Sequence, residues 1–140
     1  MAKNTQMTNA AVNAEADAFS ALLNTGYLRI YSGTQPATGD TALSGNTLLS
    51  EHRYSATAAP AASAGVITFN AITAPNPTAA GTATFFRAFK SDGTTAVYDG
   101  TVGATGSTSN IELATTGIVL GVPVTITSYT HTIAKSTSGS

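Results

Sequence analysis

The side chains able to do chemistry in this 140-residue chain are few: two histidines, seven acidic groups, six basic ones and no cysteine. Hydrolytic or group-transfer catalysis needs a nucleophile beside a base, a pair of carboxylates, or a cluster of metal ligands. His52 and His131 lie far apart in sequence. Neither has a second histidine or a carboxylate at ligand spacing, although Glu51 adjoins His52. Both read as surface or half-buried strand residues. Asp92 and Asp99 each precede a glycine, with Glu112 farther on, but no EF-hand spacing links them and Asp-Gly is ordinary turn chemistry. Gly103-Ala-Thr-Gly-Ser-Thr-Ser109 lacks the lysine of a phosphate loop and opens no helix, so it reads as a hairpin loop. No Gly-x-Ser-x-Gly elbow occurs. The expectation is a protein that is not an enzyme and takes no metal or cofactor.

One pattern stands out. Two strand-like segments carry an aromatic–Arg–aromatic row: Tyr27, Arg29 and Tyr31, then Phe85, Arg87 and Phe89. Between them lies Glu51-His-Arg-Tyr54, which adds Arg53 and Tyr54. Leu28 and Ile30 mark the core face of the first segment, so Tyr27, Arg29 and Tyr31 should point outward. Phe86 and Ala88 do the same for the second. Tyr, Phe and Arg are enriched at protein interfaces, where Lys and Glu are depleted, so these eight residues are candidate interface positions. The alternative is that the Arg stems pack between rings within the monomer.

Composition narrows the function classes. Charged residues make up 9% of the chain and the net charge is −1, against about 25% charged residues in ordinary domains. Six scattered basic residues suit neither duplex nucleic acid nor an anionic membrane. Without cysteine, disulfides and thiolate metal sites are excluded. The N-terminus leads into no apolar run of signal-peptide length. The 33 residues between Arg53 and Arg87, and the 22 between Glu112 and Lys135, are uncharged. Pro60, Pro75, Pro77 and Pro123, with many Thr, Ser and Gly, rule these stretches out as membrane helices. A soluble, uncleaved domain made inside the cell is the remaining class.

The elements that would position these residues follow from periodicity. Thr8 or Asn9 can cap a helix whose thin stripe is Val12, Ala16, Phe19 and Leu23, with Gly26 as its stop. This gives an N-terminal helical arm over 1–25. Strand candidates follow at Tyr27 to Ser32, Leu48 to Thr57, Gly65 to Thr73, Thr82 to Lys90, Thr95 to Asp99, Ile111 to Ala114, Ile118 to Leu120 and Val122 to Ile133. Ser91-Asp-Gly-Thr94 should turn the Phe-rich strand back on itself. In the last strand Val122, Val124 and Ile126 alternate against Thr125, Thr127 and Tyr129. An all-β, jelly-roll-like antiparallel β-sandwich over 26–134 is expected, with a flexible tail over 135–140.

Taken together, the weak helix, Gly26-Tyr-Leu-Arg-Ile-Tyr-Ser-Gly-Thr-Gln-Pro-Ala-Thr38, the Thr-rich strands, Phe85-Phe-Arg-Ala-Phe-Lys-Ser-Asp-Gly-Thr94 and the closing Val122-Pro-Val-Thr-Ile-Thr127 resemble a known family. The pattern is similar to the capsid cement (decoration) proteins of tailed bacteriophages, closest to that of short-tailed Bordetella phages. The resemblance spans most of residues 9 to 134 and contains no chemical signature. It implies a jelly roll that binds the outside of an expanded capsid and cements its capsomers. The implied partners are the major capsid protein and a second copy of the chain, a homodimer in preference to a trimer. The implied location is the virion surface, after synthesis in the host bacterial cytoplasm. The N-terminal segment is then expected to take part in assembly contacts. A tail or head-fibre component, or a carbohydrate-binding β-sandwich, are the alternatives.

Overall fold

The computed structural model describes residues 3–138. One helix, α1 (Asn9–Ala21), is joined by eleven short strands: β1 (Asn4–Gln6), β2 (Tyr27–Tyr31), β3 (Leu48–Arg53), β4 (Val66–Thr68), β5 (Gly81–Thr82), β6 (Phe85–Phe89), β7 (Ala96–Ala104), β8 (Ile111–Leu113), β9 (Gly117–Ile118), β10 (Ile126–Thr132) and β11 (Ser136–Ser138). The protein is mostly β, with a seven-stranded sheet of order β3-β2-β6-β7-β8-β10-β4 and two two-stranded ribbons, β1-β11 and β5-β9. The sheet is mixed, which corrects the fully antiparallel expectation. β7 and β8 run parallel, with Val102 opposite Ile111 and Ala104 opposite Leu113.

That parallel pair also corrects the reading of Gly103 to Ser109 as a hairpin loop. A parallel neighbour requires the chain to travel back along β7, normally through a long crossover. Here the return is short and braced by side chains. The Glu112 carboxylate accepts hydrogen bonds from the Gly106 and Thr108 amides, both at 3.0 Å, and Asn110 Oδ1 accepts from the Thr101 amide at 2.9 Å. The amides that a phosphate loop would turn toward its ligand are occupied here by the chain's own carboxylate.

The helix begins where its cap requires. Thr8 Oγ1 accepts from the Ala11 amide at 3.1 Å, which satisfies one orphan donor of the first turn. It ends at Leu22, and the residue in the left-handed region is Thr25 (φ 57°), one before the expected Gly26. Gly26 serves close approach instead: a Cβ there would lie 2.3 Å from the Phe89 carbonyl oxygen. Val12, Ala16 and Leu23 are fully buried and Phe19 partly so. Asn13 and Asp17 accept from the Gly65 and Ala62 amides, at 2.9 and 2.8 Å. The helix thus lies on its own domain, over the segment leading into β4.

Both chain ends meet in the β1-β11 ribbon, where Asn4 is opposite Ser138. The stretch expected as a flexible tail over 135–140 is therefore a strand through Ser138; the rest of it falls outside the described residues. Of the nine residues from Gly65 to Thr73, only Val66–Thr68 pair as a strand. The remainder continues as a strap along the edge of β3. There the Arg53 amide donates to Thr73 Oγ1 at 3.0 Å and the Thr78 amide to the Leu49 carbonyl at 2.8 Å. An edge that would otherwise be free is thereby covered.

One face of β2 and β6 (Leu28, Ile30, Phe86, Ala88) forms the main core with Leu23, Leu49, Ile111, Leu113, Val124 and Tyr129. The expected alternation of Val122, Val124 and Ile126 against Thr125, Thr127 and Tyr129 is corrected here. A register shift between Ile126 and Ser128 against β8 reverses the alternation, and Tyr129 is buried. Its ring lies 5.7 Å from that of Phe86, so the sheet curls to bring β10 over β6.

Candidate functional site

Register brings the two aromatic–Arg–aromatic rows together. Across β2 and β6, Tyr27 faces Phe89, Arg29 faces Arg87 and Tyr31 faces Phe85. Farther out, Arg29 faces Glu51 on β3 and Arg87 faces Asp99 on β7. The result is a transverse row, Glu51–Arg29–Arg87–Asp99, across four strands. Two cations side by side on a sheet repel one another. Here each has its own anion on the outer side: Arg29 Nε donates to Glu51 Oε2 at 2.7 Å, and Arg87 donates to both oxygens of Asp99 at 2.6 and 2.8 Å.

The outward orientation expected for this row is corrected. Tyr31, Phe85, Arg87 and Phe89 are buried, and Tyr27 and Arg29 are only partly accessible. Alternation assigns a side chain to a face of the sheet, and these residues do lie opposite the main core. The segment from Gly33 to Asn46 and the β6–β7 turn then cover that second face. Arg87 reaches the Thr38 carbonyl at 3.3 Å, and Arg29 reaches the Gly93 carbonyl at 2.9 Å. Beside this contact a polar cleft of about 430 Å³ remains between residues 35–40 and 96–99. The Arg29 guanidinium carbon lies 4.5 Å from the Phe89 ring centroid, and the Tyr31 and Phe85 rings stack at 5.3 Å. The packing of arginine stems among rings within the monomer is therefore the arrangement found.

The remaining two candidates diverge, as neighbours on a strand must. Arg53 is exposed, its guanidinium carbon 4.1 Å from the Tyr27 ring centroid and its nitrogens donating to Tyr27 Oη and the Thr25 carbonyl, both at 2.9 Å. Tyr54 points the other way, into the core, and is 3% exposed. Only Arg53, Tyr27 and Arg29 of the eight candidates keep access to solvent.

Ionisable groups in the core were harder to foresee. Tyr129 Oη lies between two other phenols, bonding Tyr54 Oη at 2.6 Å and Tyr98 Oη on its other side. Burial raises all three phenols above their ordinary range, Tyr54 and Tyr129 the most. They are neutral donor–acceptors that join β7, β10 and the end of β3. His52, expected at least half accessible, is fully buried. Its Nδ1 donates to the Thr73 carbonyl at 2.7 Å, which leaves Nε2 to accept from Ser50 Oγ at 3.0 Å. Burial pushes its pKa down, and half-buried His131 shifts the same way for the same reason. Asp92 is held at about 2 by hydrogen bonds from Thr95 and Thr94 within its own turn. Among the described residues no group of three or more His, Cys, Asp or Glu could hold a metal ion, and no helix is long and apolar enough to cross a membrane.

Comparison with known proteins finds no matching family model, no matching curated protein and no matching solved structure.

Proposed function

We propose that this protein is a structural virion component that binds the outer surface of an expanded phage capsid and cements neighbouring capsomers. The observation that supports this best is the disposal of its charges. Glu51, Arg29, Arg87 and Asp99 neutralise one another across the sheet, Glu112 braces a loop, Asp92 a turn and Asp17 a helix contact. Lys3, Glu15, Asp17, Asp40, Arg53, Asp92 and Lys135 stay exposed, but the rest of the outside is largely Thr, Ser, Ala and Gly, which cost far less to desolvate against another protein than charged groups do. Such a surface suits a protein covered on several sides.

On this reading the partner is the major capsid protein, the working location is the virion surface, and the curled mixed sheet is a variant of a jelly-roll-like sandwich. Binding only the expanded lattice would stabilise that lattice by mass action, copy by copy. A glycan-binding alternative would need exposed rings as stacking platforms. Tyr27, the one row aromatic with access to solvent, already carries Arg53 on its ring. The test is to add purified protein to undecorated expanded heads and image them. Ordered density over capsomer seams is the expected result. Absence of density, or density confined to the tail or to fibres, would overturn the proposal.

A further inference from the structure

Strand β7 has a stretch of edge to which nothing is bonded. The Tyr54 amide donates to the Gly26 carbonyl at 3.0 Å and the Ser32 amide to the Thr47 carbonyl at 3.1 Å, so the even-numbered residues of β2 bond toward β3. Successive residues of an antiparallel ladder alternate sides. Arg29 therefore bonds toward β6, and its partner Arg87 back toward β2. That leaves Phe86 and Ala88 to bond β7, at Gly100 and Tyr98, and the Lys90 amide continues the series on the Thr95 carbonyl at 2.9 Å. Between Tyr98 and Gly100, the backbone of Asp99 faces away from β6. The next group on that side, the Thr101 amide, is taken by Asn110 Oδ1, and β8 pairs only from Val102 onward. Among the described residues neither the N–H nor the C=O of Asp99 meets a partner. Water reaches them: Asp99 keeps partial access to solvent although its side chain is only 4% exposed, so the accessible part is its backbone.

We propose that the cleft between residues 35–40 and 96–99 docks an extended peptide of another protein, which adds to β7 beside Asp99 as a short strand and carries a basic side chain. Three observations define that occupant. An unpaired N–H and C=O on one edge residue is the template that a second extended backbone completes. The cleft, at about 430 Å³, lies in the range of pockets that enclose ligands, and Asp99 is part of its lining. Its charge selects the guest's side chain. The lining holds no cation, Asp99 is neutralised by Arg87, and exposed Asp40 has no ion pair among the described residues. A lysine or arginine of the guest therefore finds a free carboxylate in the wall. The site does not depend on the capsid reading.

The probe is a displayed library of random linear peptides of about nine residues, selected against the full chain. Selected peptides should share a lysine or arginine among β-prone residues, and one of them is synthesised for calorimetric titration. Asp40→Lys should weaken its binding about tenfold, by losing an ion pair and adding a repulsion. Glu15→Lys makes the same charge change on the exposed side of α1 and should leave binding unchanged. Circular dichroism confirms that both variants are folded. Amide exchange followed by NMR reads the backbone. In the free chain the Asp99 amide should exchange quickly between protected neighbours, Tyr98 and Gly100, and saturating peptide should slow it by at least about tenfold. No selected peptide, equal effects of the two variants, or a bound peptide that leaves the Asp99 amide unprotected would overturn the proposal. So would an Asp99 amide already protected in the free chain, as it would be if sedimentation velocity showed a second copy filling the cleft. Decoration of heads is a separate measurement, and neither result decides the other.

Discussion

Replacing Asp99 by asparagine tests the central row of the sheet most severely. Arg87 and Asp99 expose only 6% and 4% of their side chains, so the charges were removed from water on folding and are held by two short hydrogen bonds. The substituted amide would keep the shape and one acceptor but leave the Arg87 guanidinium as an uncompensated buried cation directly across from Arg29. Removing one partner of a buried pair costs about 3–5 kcal/mol. The total stability of a chain this size is on the order of 7–20 kcal/mol, so the loss would be easily seen. Urea unfolding should show a midpoint lowered by about 1.5–2.5 M at an m-value of roughly 2 kcal/mol/M. Replacing both partners, as Arg87→Met with Asp99→Leu, should recover most of the loss, since no charge then lies buried and alone. A single-variant loss below about 1 kcal/mol, or a double variant as weak as the sum of its parts, would refute the reasoning.

Three further perturbations probe other sites. His52 is neutral when folded and has its pKa lowered by burial, so the unfolded chain takes up a proton first as pH falls. Stability should be level above pH ~6.5 and decline below it by up to about 1.4 kcal/mol per pH unit, with His131 acting in the same direction. The folded His52 ring should be half-protonated at a lower pH than a free histidine, and a midpoint at or above pH ~6.5 would contradict the burial argument. Tyr129→Phe leaves two buried phenols without their shared partner and should cost about 1–3 kcal/mol, whereas Tyr98→Phe removes only an end of the chain of hydroxyls and should cost nearer ~1 kcal/mol. Equal losses in thermal melts would show that the phenols do not form one network. Gly26→Ala should destabilise by about 3 kcal/mol, because its Cβ would lie 2.3 Å from the Phe89 carbonyl oxygen and 2.9 Å from that of Leu23. An unchanged melting temperature would show that the backbone there can yield.

Local signals are legible in the sequence. Thr8 caps the helix, Leu28 and Ile30 face the core, and Asp92-Gly93 closes the β6–β7 hairpin. Each is a short-range rule acting within a few residues. The candidate site departs from expectation where coverage matters: alternation places Phe85, Arg87 and Phe89 on a face, but only the path of residues 33–46 decides whether that face meets water. Alternation misplaces Tyr129 because one irregular residue reverses every later position. β1 and β11 carry no apolar pattern at all; their pairing arises from the two chain ends meeting in space. The parallel turn from β7 to β8 depends on Glu112 and Asn110 reaching back to backbone amides, and no local motif announces that.

The charged row also has a consequence for the chain before it folds. β2 pairs with β6, β4 with β10 and, in the separate ribbon, β1 with β11, so these three pairings wait on contacts between distant segments. Such topologies fold slowly, on the millisecond-to-second scale. Meanwhile Tyr27-Leu-Arg-Ile-Tyr31 and Phe85-Phe-Arg-Ala-Phe89 stand open as aromatic, sheet-prone windows of a chain with few charges. Short windows of that kind seed intermolecular stacking unless a charge interrupts them. Arg29 and Arg87 sit at the centre of each, so the cations that end up neutralised inside the native sheet first serve as gatekeepers against aggregation.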